Sequence, residues 1–251
     1  MEWHDEGLIL GLRKHGETSV ILEAMTPAHG RHLGLVRGGR SKRWQPLLQP
    51  GNSVELVWRA RLDEHLGLYA VEVTKPRAAH LMASALALHG LNHLGALLRL
   101  LAERDPHPAL YETALLIADH LDDARITPAT LVRFELAVLG ELGFGLDLSS
   151  CAASGAREDL IYVSPKSGRA VSRTSGAPYH DRLLSLPDFL QDAEAFASAS
   201  QIIEGFRLTG YFLERDVFSP RGLAMPQARH AYLADYLRQS CASHDAIAPK
   251  D

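Results

Sequence analysis

Between Glu23 and Glu55 the sequence holds Arg31, Arg37, Arg40, Lys42 and Arg43 and no acidic residue. Five cations with no acid among them cannot neutralise one another, so the segment presents positive potential to a polyanion. Strand alternation places Arg31 near the start of a strand and Arg37 at its end. Arg40, Lys42 and Arg43 then fall in a loop with Gly38, Gly39 and Ser41. Glycine there lets backbone approach a phosphate closely. Trp44 follows directly, an indole of the kind that stacks on an unpaired base. Arg13 and Lys14, read as part of the loop before Gly16, extend the same face. Such a surface would grip backbone phosphates without reading base sequence. Neutralising about five phosphates of a single strand gives a log–log salt slope of roughly −3.5, so a fourfold rise in salt weakens binding on the order of 100-fold.

Other chemistries have less to stand on. The chain contains no GxGxxG, no GxxxxGK[ST], no GxSxG and no HExxH, the spacings that would build a dinucleotide cradle, a phosphate loop, a nucleophile elbow or a zinc protease. His4-Asp5, Asp119-His120, His180-Asp181 and His244-Asp245 are neighbours in sequence, with no nucleophile at a useful spacing. Glu112, Asp119, Asp122 and Asp123 mark an acidic helical face. That face reads as solvated, whereas a two-metal nuclease needs carboxylates converging in a cleft. The sequence therefore reads as a protein that is not an enzyme and carries no cofactor.

The elements that must hold the cations change character near Lys75-Pro76. Before it, Leu8, Leu10 and Leu12, then Val20, Leu22 and Ala24, then Leu33 and Leu35, then Val54, Leu56 and Trp58, then Tyr69, Val71 and Val73 alternate with their neighbours. Turn residues separate these five runs, as expected of a small sheet or barrel. Periodicity does not distinguish an OB-fold from an SH3-like barrel. After Pro76, helical spacing appears in Leu91, Leu94, Leu98 and Leu101, again in Leu110, Ala114, Ile117 and Leu121, and again in Leu131, Phe134, Val138 and Leu142. Thr127-Pro128 reads as an N-cap with proline at N1, and Gly143 as a stop. Residues 146–186 are Ser- and Gly-rich, with a β-hairpin expected around 165–168. Helical spacing returns at Ile202, Phe206, Thr209 and Leu213 and in a last helix from about Pro226. From Ser240 onward the tail reads as disordered. The boundaries expected are 1–77 for the barrel domain, 78–239 for an α-helical domain with its insert at 146–186, and 240–251 for the tail.

Over 251 residues the net charge is −4, with 46% hydrophobic residues. The balance is uneven: the first 80 residues carry 11 Lys/Arg against 9 Asp/Glu, and the remainder 15 against 21. The N-terminus, Met1-Glu2-Trp3-His4-Asp5-Glu6, lacks the basic and apolar regions of a secretory signal. No run approaches the ~18 apolar residues of a membrane span. With only Cys151 and Cys241 and no close pair, a reducing cytoplasmic setting without a disulfide is expected.

The stretches Glu17-Thr18-Ser19-Val20-Ile21-Leu22-Glu23 to Thr26-Pro27-Ala28-His29-Gly30, Val36-Arg37-Gly38-Gly39-Arg40 and Leu47-Leu48-Gln49-Pro50-Gly51, in that order and spacing, resemble the N-terminal signature of the RecO family of DNA repair proteins. The likeness runs to about residue 238. It implies an α+β multidomain protein, with a five-stranded N-terminal OB-fold followed by an α-helical domain. It implies binding of single- and double-stranded DNA, annealing of complementary strands, and partnership with RecR, RecF and the single-stranded-DNA-binding protein SSB in loading RecA. Its members often hold zinc in the insert with two Cys-x-x-Cys pairs. Here Cys151 matches the first position, while Ser154, Ser172 and Ser175 stand at the others. One thiolate with three hydroxyls is a poor zinc site, so no metal is expected. A second reading makes the barrel an adaptor whose basic loop binds an acidic partner peptide. A third makes the chain a hydrolase using metal-bound carboxylates.

Overall fold

A computed structural model describes residues 1–192, 194–195 and 197–245, with side chains to residue 240. The chain divides into two compact units, Met1–Asp122 and Asp123–Asp251.

In the first unit the five alternating runs become strands β1 (Glu2–His15), β2 (Ser19–Thr26), β3 (Gly30–Val36), β4 (Ser53–Arg59) and β5 (Leu68–Lys75). They close into a barrel in the order β1-β2-β3-β5-β4. Closure depends on the length of β1. Its first half pairs antiparallel with β4, from Glu2↔Arg59 to Leu8↔Ser53, and its second half with β2, from Leu8↔Met25 to His15↔Ser19. A bulge between Ile9 and Gly11 bends the strand between its two partners. Strand β3 meets β5 in parallel at Leu35↔Leu68. This is the five-stranded OB-fold barrel.

Alternation sends Leu22, Val54, Leu56 and Trp58 inward, where they are almost wholly buried. His32 is buried among them, with its Nδ1 2.9 Å from the Tyr69 hydroxyl. Gly34 makes room for the Tyr69 ring, since a Cβ there would lie 2.3 Å from it.

Three helices complete the unit: α1 (Ala78–Leu81), α2 (Ala85–Leu98) and α3 (Pro108–Asp119). Ser84 caps α2 by accepting from the Ala87 N–H. Buried Arg77 ties strand to helix, donating to the Ser53 hydroxyl at 2.6 Å and to Asp119 at 2.6 Å, while Asn52 accepts from the Arg77 and Ala78 N–H groups.

The second unit is built on α4 (Thr127–Glu141), α6 (Ala199–Phe212) and α7 (Gln227–Asp245). Helix α4 begins at Thr127 with Ile126 in the cap position, so Thr127 does not serve as the expected side-chain cap. Gly143 follows the helix with φ +85°, a left-handed position that suits glycine. The expected hairpin is present as β6 (Leu160–Val163) and β7 (Ala170–Ser172), with a short helix α5 (Arg173–Gly176) after it. A third strand, β8 (Leu184–Ser185), joins β6 on its other edge. Helix α7 continues to Asp245, so the first six residues expected to be disordered are helical. Residues 246–251, and the Cys241 side chain, lie outside those described.

Helices α4, α6 and α7 share one buried ionic knot. The Arg229 guanidinium (8% exposed) donates to both oxygens of Glu135 (0% exposed), at 2.7 and 3.0 Å. The Thr209 hydroxyl donates to the same carboxylate. Among the described residues no helix is long and apolar enough to cross a membrane.

Two stability predictions follow from these buried groups. Truncating one partner of a buried ion pair strands the other, so Glu135→Ala should cost about 3–5 kcal/mol of stability, read as a fall in the denaturant midpoint. Burial drives the His32 pKa down from 6.5 to about 4. Between those values the unfolded chain takes up a proton that the folded barrel refuses. Stability is then complete above pH 6.5 and falls as pH drops towards 4, by up to roughly 3 kcal/mol. Unfolding titrations of wild type and His32→Gln across pH 4–7 check this: the variant should lose much of that slope.

Candidate nucleic-acid interface

The segment after β3 is wound into turns. Gly38 takes φ +68° at the corner. The Arg40 N–H donates to the Thr18 carbonyl at 3.0 Å, and its guanidinium to the Gly16 carbonyl at 2.9 Å. These two bonds fasten the corner to the β1–β2 hairpin. Beyond it, Gln45 N–H donates to Ser41 and Leu48 N–H to Trp44, the i to i−4 pattern of a helical turn. Trp44 and Leu48 therefore share a face, and that face is turned onto the barrel core. Lys42 and Arg43 are left in solvent.

Trp44 is thus a half-buried cover of the core and not a free stacking platform. Its remaining surface lines an open groove of about 400 Å³ with Leu35, Arg37, Val57 and Arg59. The Arg43 guanidinium stands 6.0 Å from the Trp44 ring centroid, at the outer limit of a cation–π contact.

Arg37, Arg40, Lys42 and Arg43 are exposed, and among the described residues no carboxylate pairs with them. Arg13 and Lys14 are likewise exposed and unpaired among the described residues, but they sit in strand β1, opposite Ile21 and Val20, and not in a loop. Lys14 and Arg40 come together at one concavity of about 470 Å³ floored by Val20 and Leu48.

Arg31 departs from the expected role. Its side chain is 15% exposed and pairs with Glu23 at 2.9 Å and Glu103 at 3.4 Å, while its Nε donates to the Leu101 carbonyl. It lies diagonal to Glu23 across β2–β3, because Glu23 is opposite Leu33. The cation is spent on holding the segment after α2 to the barrel.

Two arginines not singled out from the sequence also act here. Arg99, from the end of α2, donates to Glu23 at 2.8 Å and to the Leu10 carbonyl at 2.8 Å, and lines a second concavity beside Arg13. Arg104 adopts φ +63°, a left-handed conformation uncommon outside glycine. From there its N–H donates to the Arg31 carbonyl and its guanidinium to the carbonyls of Asp63 and His65. It thereby holds the β4–β5 loop, one of the loops with which OB-folds bind ligands. No sequence spacing announces either residue, since their partners are 39–89 positions away.

Three of the four acidic helical positions, Asp119, Asp122 and Asp123, have basic side chains beside them. Burial opposes ionisation of Asp119, but Arg77 and Lys75 outweigh it and lower its pKa. Asp122 faces His80, and Asp123 faces Arg125. In the second unit Arg169 pairs with Asp147 and Arg173 with Asp159, while Arg182 is exposed and no carboxylate pairs with it among the described residues.

The four zinc-type positions do gather. Cys151 is buried, and its Sγ accepts the Ser172 N–H at 3.2 Å. Burial pushes the thiol up, yet hydrogen bonds from Ser154 and Ser172 bring it down to about 5. Ser175 N–H donates to the Ser172 hydroxyl. Hydroxyls are poor zinc ligands at neutral pH, so this set does not fit a structural zinc ion. Among the described residues no group of three or more His, Cys, Asp or Glu is placed to hold a metal.

The fold thus defines a class: an OB-fold barrel joined to a helical unit with a small three-stranded sheet. Residues 1–77 match the family model described as Recombination protein O N terminal, and residues 83–223 the one described as Recombination protein O C terminal. Relatives named DNA repair protein RecO are similar along almost the whole chain. That of Methylocella silvestris is 65% identical over 241 residues, covering 95% of this chain and 97% of its own. That of Beijerinckia indica is 60% identical over 237 residues, covering 94% and 95%. The chain belongs to the RecO family of DNA repair proteins.

The ion pairs separate Arg31 from the other cations in a measurable way. Arg31→Ala should lower the barrel's thermal midpoint by several degrees, because it leaves Glu23 and Glu103 without this partner, and should leave the salt slope of DNA binding unchanged. Arg40→Ala should flatten that slope, with a smaller loss of stability from the bond to the Gly16 carbonyl. Differential scanning fluorimetry beside anisotropy titrations at several salt concentrations checks both.

Proposed function

We propose that the chain is a non-enzymatic recombination mediator whose barrel binds single- and double-stranded DNA through phosphate contacts and anneals complementary strands. The observation that carries this reading is the set of six exposed cations, Arg13, Lys14, Arg37, Arg40, Lys42 and Arg43, none paired with a carboxylate among the described residues. Four of them follow the β3 end, and two occupy the end of β1. Annealing then needs no nucleotide hydrolysis. Strands neutralised side by side repel less, and their bases are free to pair. In keeping with the family, RecR, RecF and SSB are the partners proposed for loading RecA in the cytoplasm. An adaptor that binds acidic peptides would use the same cations, and competition between an acidic peptide and an oligonucleotide tests for a shared surface. A metal-dependent hydrolase has less support, because Asp119 is already held by Arg77 and Lys75.

If all six cations meet phosphates, single-strand binding should show a log–log salt slope of about −4, and replacing Arg37, Arg40, Lys42 and Arg43 together by Ala should bring it to about −1. Anisotropy titration of a labelled oligonucleotide with the full chain reads both values. An unchanged slope in the fourfold variant rejects the assignment.

A further inference from the structure

Arg13 and Lys14 are adjacent on β1, and strand geometry sends adjacent side chains to opposite faces. The barrel turns that alternation into two concavities whose linings share only Leu12, on the strand between them. Arg13 lines one of about 320 Å³ on the outer face of β1–β2–β3, with Ile21, Leu33, Glu23 and Arg99. Lys14 lines the other, of about 470 Å³ at the barrel mouth, with Val20, Leu48 and Arg40. Each has an apolar floor and a cationic rim. At the mouth, neither cation pairs with a carboxylate among the described residues. On the outer face the one lining carboxylate, Glu23, is shared by Arg31 and Arg99, so cations remain in excess there too. Arg99 is 41% exposed despite its pairing, so its guanidinium also reaches solvent.

Resting on the reading of the barrel as a DNA-binding surface, we propose that these concavities are two distinct single-strand subsites, divided by the end of β1, each taking the phosphates of one strand over an apolar floor. One barrel then holds two strands at once. Annealing follows from the barrel's own geometry, with no second DNA-binding element required.

Stoichiometry tests this on the full chain. The probe is an oligothymidylate of about six nucleotides, near the short end of OB-fold site sizes and so matched to a single subsite. Native mass spectrometry at low salt should find two oligonucleotides per chain for wild type, one for Arg13→Glu and one for Lys14→Glu. Neither side chain is buried or ion-paired among the described residues. Arg13→Gln and Lys14→Gln provide the same comparison should a charge reversal disturb folding. Each single variant should also lose at least tenfold in the rate at which two labelled complementary strands anneal, while still binding one strand. One oligonucleotide per chain in wild type, removed by either substitution, would mean a single track. It would overturn this inference and leave DNA binding by the barrel intact. Two oligonucleotides retained by both single variants would also overturn it. No oligonucleotide on the wild-type chain would overturn this inference and the proposed function together.

Discussion

Carboxylates reach some of the barrel's arginines and not others, and that partition organises the first unit. Glu23 engages Arg31 and Arg99, Asp119 engages Arg77 and Lys75, and Glu2 engages Arg59 at 2.8 and 2.9 Å. Most of these pairs join segments distant in the chain, holding the barrel to α2 and α3 or closing β1 onto β4. The partly buried ones, such as Arg77 on Asp119, hold their geometry better than exposed pairs, which are worth little individually. Once these cations are committed, the exposed Arg and Lys of this unit with no carboxylate partner among the described residues are those of the corner after β3, the end of β1 and Arg61 in the β4–β5 loop.

The corner itself is fixed by backbone bonds. Arg40 supplies both its N–H and its guanidinium to carbonyls of the β1–β2 hairpin. Trp44 and Leu48 then anchor the following turn on the core. The result is a loop that is stiff at its base, with Lys42 and Arg43 projecting from it. A loop held in this way loses less conformational entropy when a ligand orders it.

Much of this was legible in the sequence. The five alternating runs became the five strands, and the three- and four-residue spacings became α2, α3, α4 and α6. The exposed cluster after β3 followed from the lack of acid between Glu23 and Glu55. Arg31 was misplaced for a definite reason. Its partner Glu23 stands just outside that segment, and only the β2–β3 register brings the two onto one face. Register depends on which residues find themselves opposite, and a single strand's composition does not contain it. Arg99 and Arg104 were invisible on the same ground, because their partners are brought to them by the closure of the barrel. Trp44 turned inward because the loop winds into a helical turn, which the Gly-rich composition obscured. In the second unit, strand β8 is two residues long, too short to show a period. Around Cys151, hydrogen bonds from Ser154 and Ser172, with Ser175 bonded to Ser172 in turn, link these positions without a metal.

The whole-chain charge of −4 would argue against a polyanion if charge acted over the full molecule. In physiological salt it does not, because the Debye length is about 8 Å. A phosphate near Arg40 feels Lys14 and the neighbouring cations of the corner strongly, and charges many Debye lengths away hardly at all. Several carboxylates beyond residue 80 are engaged in ion pairs with Arg77, Arg169 or Arg173. The attraction is therefore local and salt-sensitive. A surface with these properties suits the proposed contact with phosphates, which carries no base-sequence information.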